Sequence, residues 1–578
     1  MVQVSSDELL DLADTHQRMI EKSLPRDPTE RFVLFVDLSR YLDVVSVATD
    51  PEPQSRQDAV RYEFLQSGWN LAAALLLTPL NQWQEFPNKP YVREHQAILN
   101  QILWHLGAFV FIRKVAGWVR AGFMKAERRG KRIVLTSSPL FGGMRADELE
   151  RERFELLRLT LITPDSKMER KFVRPDIDEL MRPLVRPWAM SKNKMIEYGA
   201  TPEIDNHFGY LAARDAGRWR EDAGLHPSVK IAGIEGDVVA SLIVLLTSIR
   251  LKHINFVRVA RQQFPDISAA QSLMIWSPRS EMITDFALYT GYSPELVARA
   301  LDAITLKASE AHQLQRVITR IRPPAIDLGN DLFLFPASSF MWNPFKMAMS
   351  LQLMRDPNMS TRFASPREDW LRGLLYDLFG DERFRCVEGN VRVRREGRIL
   401  TDIDGVIFQP DANTLGLFQL KWQDFATQEP REVVSKATNF MRTMGEWTEA
   451  VQTWLSETDV QGLRDTFRIP EIRDDRPLKV VLFGLAHSAA RLASYTRQKT
   501  PEGVALANWP QFARARHEIG AVEDPLVALY DRLSGEYHRQ IDSRAAPTDV
   551  RIGALRFHLA NYWLTYETAP DRNDQTSA

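Results

Sequence analysis

The chain has 578 residues, 44% hydrophobic and 26% charged, with a formal net charge of −1. That composition suits a globular protein with a sizeable core, and it excludes a global basic field as the means of holding nucleic acid. The single cysteine, Cys386, excludes an intramolecular disulfide and a cysteine-ligated zinc site.

Domains of roughly 100–200 residues predict three or four in this length. The opening MVQVSSDELLDLADTH is polar and acidic, without the charged-then-apolar layout of a secretory signal. The longest apolar run, Val238 to Leu246, falls short of the about 20 residues a bilayer requires. A cytoplasmic protein with no membrane partner is expected.

In chain order, Ser5 or Ser6 opens a helix whose Leu9, Leu10, Ala13 and Ile20 share one face, and Glu8 completes a capping box. A polar break at Thr49 to Asp58 precedes two buried helices, LQSGWNLAAALLLTPL and EHQAILNQILWHLGAFVFIRKVAGWV. From Arg113 to Arg132 eight cations stand against Glu127. The plainer reading is a solvated helix face and turn, the functional one a phosphate-contacting patch. At Ser280 to Thr305, Ala287, Gly291 and Val297 are spaced as in a helix-turn-helix, and Gly329-Asn330 marks a following hairpin in the place of a wing. The second helix carries a single base, Arg299, so a structural helical hairpin is the plainer reading.

Near Arg355 to Glu368 the pattern changes from helical to mixed α/β. The expected fold class is therefore multidomain: a mostly α-helical N-terminal region with a helix-turn-helix or winged-helix portion near 280–337, then an α/β domain with a central mixed sheet. The boundaries read as 1–135, 136–355, 356–568 and a disordered tail 569–578. In the α/β part, PREDWLRGLLYDLFG is a helix capped by Ser365 and ended by Gly380, and a hairpin turns at Arg395-Glu396-Gly397. EVVSKATNFMRTMGEWTEAVQTWL is a long helix, and RPLKVVLFGLAHSA a fully buried strand.

The chemistry concentrates in TDIDGVIFQPDANTLGLFQLKWQDF, Thr401 to Phe425. Side chains two apart on a strand share a face, so Asp402 pairs with Asp404 and Gln419 with Lys421. The connection Gln409 to Thr414 makes the two strands neighbours and brings Asp404 beside Gln419 and Lys421. Phe418, Leu420 and Trp422 form the opposite, core face. A carboxylate, an amide oxygen and an ammonium together suit Mg²⁺, which takes one or two protein carboxylates and keeps its waters. They also suit stabilisation of charge growing on a phosphate.

These residues resemble the PD-(D/E)XK nuclease superfamily, the restriction-endonuclease-like fold, in a Q-x-K, Mrr-like variant. The residues that carry the resemblance are Glu368 on the preceding helix, Asp404 at the hairpin end, and Gln419-Leu420-Lys421 on the next strand. It covers the chain from about Ser365 onward. It implies a metal-dependent phosphodiesterase, a nuclease on DNA above RNA, with Mg²⁺ as cofactor and Mn²⁺ able to substitute. Asp404, Gln419 and Glu368 would hold the metal and Lys421 would assist attack. By analogy it suggests a bacterial restriction or anti-phage defence role. Gln419 stands where the commoner pattern has glutamate. Two plainer readings stand beside this one: Asp404 and Lys421 form a cross-strand salt bridge, or the nuclease-like fold is inactive and serves as a nucleic-acid-binding or assembly module.

Asp402 and Glu388 are expected to support the site, Glu388 as a replacement for Glu368. Arg392 and Arg394 on the hairpin and Lys436 on the following helix are the expected nucleic-acid contacts. A near-neutral chain is expected to use a protein partner or a second copy of itself to find its target.

Overall fold

The structure is a computed structural model that describes residues 2–48, 64–78, 91–92, 94–161, 169, 171–188, 195–223, 225, 229–316, 321–356, 358–423, 430–488, 490, 492–493, 499–537 and 548–559. The polar break at 49–58 and the tail from Ala569 lie entirely outside the described residues. The fold is mixed α/β, with helices predominating and several sheets.

Strand β1 (Val2–Gln3) leads into helix α1 (Ser6–Ser23). Ser5 caps α1: its side chain accepts from the Glu8 amide at 3.2 Å while the Glu8 carboxylate accepts from the Ser5 amide at 2.8 Å. Helices α2 (Pro28–Asp43), α3 (Trp69–Leu76) and α4 (His95–Arg120) follow. At Gly107 of α4 a Cβ would strike the Phe64 carbonyl, so this close approach of two backbones requires glycine. By length and composition α4 could cross a membrane; 61% of its apolar window is buried within the fold, where α4 packs on α1, α2 and α3.

Arg113, Lys114 and Arg120 lie on α4, in keeping with the expected helix face, but the basic stretch after α4 is not a simple turn. It forms a hairpin of β2 (Met124–Arg129) and β3 (Arg132–Ser137), with Gly130 at φ 62° in the turn. Alternation explains the difference: Met124, Ala126, Ile133 and Leu135 are buried, and the residues between them are polar or half-exposed.

Helices α5 (Pro139–Leu161), α6 (Pro202–Ala223) and α7 (Gly236–Gln263) lead to β4 (Ile275–Pro278). Helices α8 (Arg279–Thr290) and α9 (Pro294–Ile304) then meet at Gly291, φ 72°. The Ser293 side chain caps α9 and Val297 is fully buried. Strands β5 (Thr305–Lys307), β6 (Ala325–Gly329) and β7 (Leu332–Phe335) complete a sheet of order β4-β7-β6-β5. The β6–β7 hairpin turns at Asn330 and Asp331, both at positive φ.

After α10 (Pro344–Arg355), helix α11 runs Met359–Asp377. Ser365 therefore lies inside α11 and does not cap it, contrary to expectation. The short link after α10 lets the helix start earlier, and Asn358 is its N-cap. Strands β8 (Arg385–Cys386), β9 (Val391–Arg395), β10 (Arg398–Ile403), β11 (Gly405–Gln409) and β12 (Thr414–Lys421) follow. Helices α12 (Pro430–Glu457) and α13 (Val460–Phe467) lead to β13 (Lys479–Ala486) and β14 (Val504–Asn508).

The central sheet has the order β8-β11-β12-β13-β14, antiparallel as far as β12 and parallel beyond it. Leu415 and Leu417 on one face join the core cluster that includes Phe440 and Met444 of α12. Phe418, Leu420 and Phe483 on the other join Leu371 and Leu375 of α11. Helices α14 (Trp509–Ile519) and α15 (Pro525–Tyr537) add Phe512 and Leu529 to that second face.

The chain does not end in this unit. Strands β15 (Thr548–Ile552) and β16 (Leu555–Leu559), expected within the 356–568 domain, form a hairpin whose β16 pairs with β3, giving a five-stranded sheet of order β1-β2-β3-β16-β15. The region expected to be a helical domain over 1–135 thus contains a sheet built from both ends of the described chain.

Candidate active site

The expected cluster forms where β11 and β12 begin and end. Gly405 pairs with Phe418, and the Asp404 amide donates to the Phe418 carbonyl at 2.9 Å. This register sets Asp404 beside Gln419. Asp404 is not part of one continuous strand with Asp402, as alternation predicted. The chain bends at Asp404: β10 ends at Ile403 in a separate two-stranded sheet, and β11 starts at Gly405. Ile403 and Asp404, on either side of the break between the two sheets, are both buried. Asp402 is exposed, and its carbonyl accepts from the Trp447 indole at 2.9 Å.

Because β11 stops at Gly405, the next β12 amide lacks a backbone acceptor on that side. The Asp404 carboxylate takes its place: Oδ2 accepts from the Leu420 amide at 2.8 Å and from the Gln419 side-chain amide. Oδ1 accepts from Asn390 Nδ2 at 3.3 Å. Asp404 is 3% exposed. Burial pushes its carboxyl up to about 6, Lys421 and the Leu420 amide pull it down, and the charges of Glu368 and Asp402 push it up further.

Lys421 sits at the rim. Its ion pair is with Glu368 on α11, Nζ to Oε1 3.5 Å, and both side chains are 31% exposed. Among the described residues no ion pair joins Lys421 to Asp404 within 4 Å, so the expected cross-strand salt bridge is not formed. The reason is geometric: Gln419 lies between them in sequence and occupies the carboxylate. Helix α11 can approach because Gly405 has no side chain; a Cβ there would meet Leu375 at 3.3 Å.

Two residues outside the expected set hold this arrangement. Arg372 donates to the Asp404 carbonyl at 3.2 Å and to the Asn390 side-chain oxygen, and Asn390 in turn donates to the carboxylate. Arg372 lies four residues after Glu368, one turn on along the same helix face, a spacing visible in the sequence. Asn390 carries no such signal. Beside them Tyr376 donates to the Val387 carbonyl at 2.6 Å and accepts from the Val406 amide at 3.1 Å; burial pushes its phenol up to about 12.

The other candidates lie elsewhere. Glu388 is exposed and lines a cleft of about 560 Å³ with Arg392, Arg468 and Glu471. Glu368, rather than Glu388, is the acid next to Lys421. Arg392 and Arg394 are exposed, and Arg394 donates to the Gly397 carbonyl at 3.0 Å across its own hairpin turn. Lys436 is half-buried on α12. Trp422 packs against the core and stacks on His487 with ring centroids 3.6 Å apart; burial first, then nearby cations led by Lys346, holds that imidazole down to about 3.

Among the described residues no three His, Cys, Asp or Glu side chains group closely enough to hold a metal ion. The oxygen donors here are two carboxylates and one amide. Gln419 is 3% exposed and its Oε1 has no hydrogen-bond partner. A carboxylate offers about four lone-pair sites, and Asp404 uses three. One site on Asp404, the orphaned Gln419 oxygen and the half-exposed Glu368 fit a hard cation that takes only one or two protein carboxylates. Comparison with family models, with curated proteins and with solved structures returns no match to this chain.

Proposed function

We propose that this protein is a metal-dependent nuclease that hydrolyses phosphodiester bonds, with DNA as its substrate and Mg²⁺ as its cofactor. The observation that carries the reading is the convergence of Asp404, Gln419, Lys421 and Glu368 at one strand end, with a buried amide oxygen left without a partner. Asp404, Gln419 and Glu368 would hold the cation. When bound, the cation supplies Lewis acidity to a phosphoryl oxygen and lowers the pKa of a water.

The protein's own side chains do the rest. Asp404 is ionised above about pH 6 and offers a full negative charge there. Lys421, at the solvent edge, meets the phosphate and offsets the charge that grows on it during attack. Glu368 holds Lys421 in place before substrate arrives. Asn390 holds the Asp404 carboxylate, and Arg372 holds the Asp404 carbonyl and the Asn390 side chain. In this reading the α8–α9 helix pair with its β6–β7 hairpin is a winged-helix portion. A restriction or defence role remains a proposal by analogy with the nuclease family.

The test uses purified full chain with linear, circular and single-stranded DNA, with Mg²⁺ or Mn²⁺. Cleavage by the parent, lost in Asp404→Ala and in Lys421→Ala, is the expected result. DNA binding by all three proteins without cleavage would make the chain an inactive binding or assembly module instead.

A further inference from the structure

The outer face of the N-terminal sheet carries a row of arginines that the sequence scatters over more than 400 positions. Arg129 pairs with Arg132 across β2 and β3, Arg132 with Arg556 across β3 and β16, and Arg556 with Arg551 across β16 and β15. Paired positions on neighbouring strands share a face. Four guanidinium groups therefore stand side by side, one per strand, and all four residues are exposed. At about 4.8 Å between strands the row spans about 14 Å.

Like charges directly opposite one another destabilise a sheet, so stability alone does not account for the row. Two acids lie one position along: Glu127 pairs with Arg129 at 3.4 Å, and Asp549 pairs with Arg556 at 2.8 Å and with Arg132 at 3.6 Å. Arg551 and the exposed Lys125 on the same face have no ion pair within 4 Å among the described residues. Five cations against two acids leave the face strongly positive in a chain whose net charge is −1. The concentration is therefore local.

We propose that this face is a second nucleic-acid contact surface, one that grips the phosphate backbone of DNA without reading its bases. Nucleic acid is favoured over a lipid surface because the row is flanked by polar residues, with half-buried Val134 the apolar residue between Lys125, Glu127 and His558. A 14 Å row covers about four phosphate steps along one strand of a duplex, at about 3.4 Å of helix axis each. The choice of DNA rests on the nuclease reading; the row itself does not.

The experiment measures fluorescence anisotropy of a labelled 20-base-pair duplex with the full chain bearing Asp404→Asn, between 50 and 300 mM NaCl. It compares that protein with a second one that also carries Arg129→Gln, Arg132→Gln, Arg551→Gln and Arg556→Gln, and with the four lysine replacements. Circular dichroism checks folding, and the single changes Arg551→Gln and Arg129→Gln stand in if the fourfold glutamine variant unfolds. The glutamine variant should bind at least about tenfold more weakly at 0.1 M salt, with the slope of log K against log salt reduced by about three, and the lysine variant should keep most of the affinity. Unchanged binding in the glutamine variant, or no DNA binding by the parent, overturns the proposal. So does loss of binding to phosphatidylserine vesicles with DNA binding intact. Binding that depends on the arginines, with no cleavage by the chain that keeps Asp404, refutes the nuclease reading and leaves the surface standing. Cleavage with binding that ignores the arginines does the reverse.

Discussion

Gln419 donates its side-chain amide to the Asp404 carboxylate across the β11–β12 pair and leaves its own oxygen buried without a partner. In a chain with glutamate at that position the two carboxylates would repel. The glutamine thus stabilises the cluster without a metal, and it weakens the cluster as a cation ligand set.

Gln419→Glu should reverse that balance. Without divalent cation the added charge should cost about 1–3 kcal/mol, a fall of several degrees in melting temperature. Mg²⁺ should restore it, and the affinity for Mg²⁺ should exceed that of the parent. Differential scanning calorimetry in EDTA and in Mg²⁺ and isothermal titration check this. A variant insensitive to Mg²⁺ in both would exclude a cation at Gln419.

Asp404 sets a pH dependence. Its folded carboxyl sits at about 6, above the unfolded value near 4. The unfolded chain releases this proton first, so the stability contributed by the protonated group is complete below pH 4. It is lost as the pH rises through 6, by about 3 kcal/mol at most. Asp404→Asn should therefore melt at or above the parent temperature at pH 8 in EDTA, and the two should converge at pH 4. Mg²⁺ affinity of the parent should fall about tenfold per pH unit below 6 and level off above it, as titration calorimetry at pH 5, 6, 7 and 8 would read.

Asn390→Ala and Arg372→Ala remove the groups behind the Asp404 carboxylate. Outer hydrogen-bond partners of metal ligands typically contribute 10–100-fold to affinity or activity. Each variant should lose cleavage by about that factor. NMR titration should also show a displaced Asp404 pKa, a readout that lost folding alone would not give. An unmoved Asp404 titration would remove both residues from the site.

Asp147 on α5 accepts from the Ala490 amide at 3.1 Å, the Leu492 amide at 2.9 Å and the Asn508 side chain at 2.8 Å, while 3% exposed. Asp147→Ala would leave three buried donors unpaired and should destabilise the protein by about 3 kcal/mol. A urea melt followed by circular dichroism checks the value. Glu150 on α5 also pairs with buried Arg514 of α14 at 2.8 Å, so Arg514→Ala, followed in the same urea melt, should weaken the hold of α5 on α14.

Local signals in the chain determined much of this. The Ser5–Glu8 capping box, the Ser293 cap, the Gly291 turn, the hairpin at Glu396-Gly397, and the approach of Gln419 to Asp404 all follow from residues close in sequence, where period and turn chemistry act directly. Only the tertiary structure decided the rest. The bend at Asp404 separates it from Asp402, because a sheet end and a bend depend on what packs beside the strand. Lys421 pairs with Glu368 rather than Asp404, because α11 closes over Gly405. Asn390 enters from a segment whose own pattern carries no chemistry, and the helix face that Arg372 shares with Glu368 meets Asp404 only in the folded chain. The arginine row exists because β16 pairs with β3, a contact between residues more than 400 positions apart that no local period encodes.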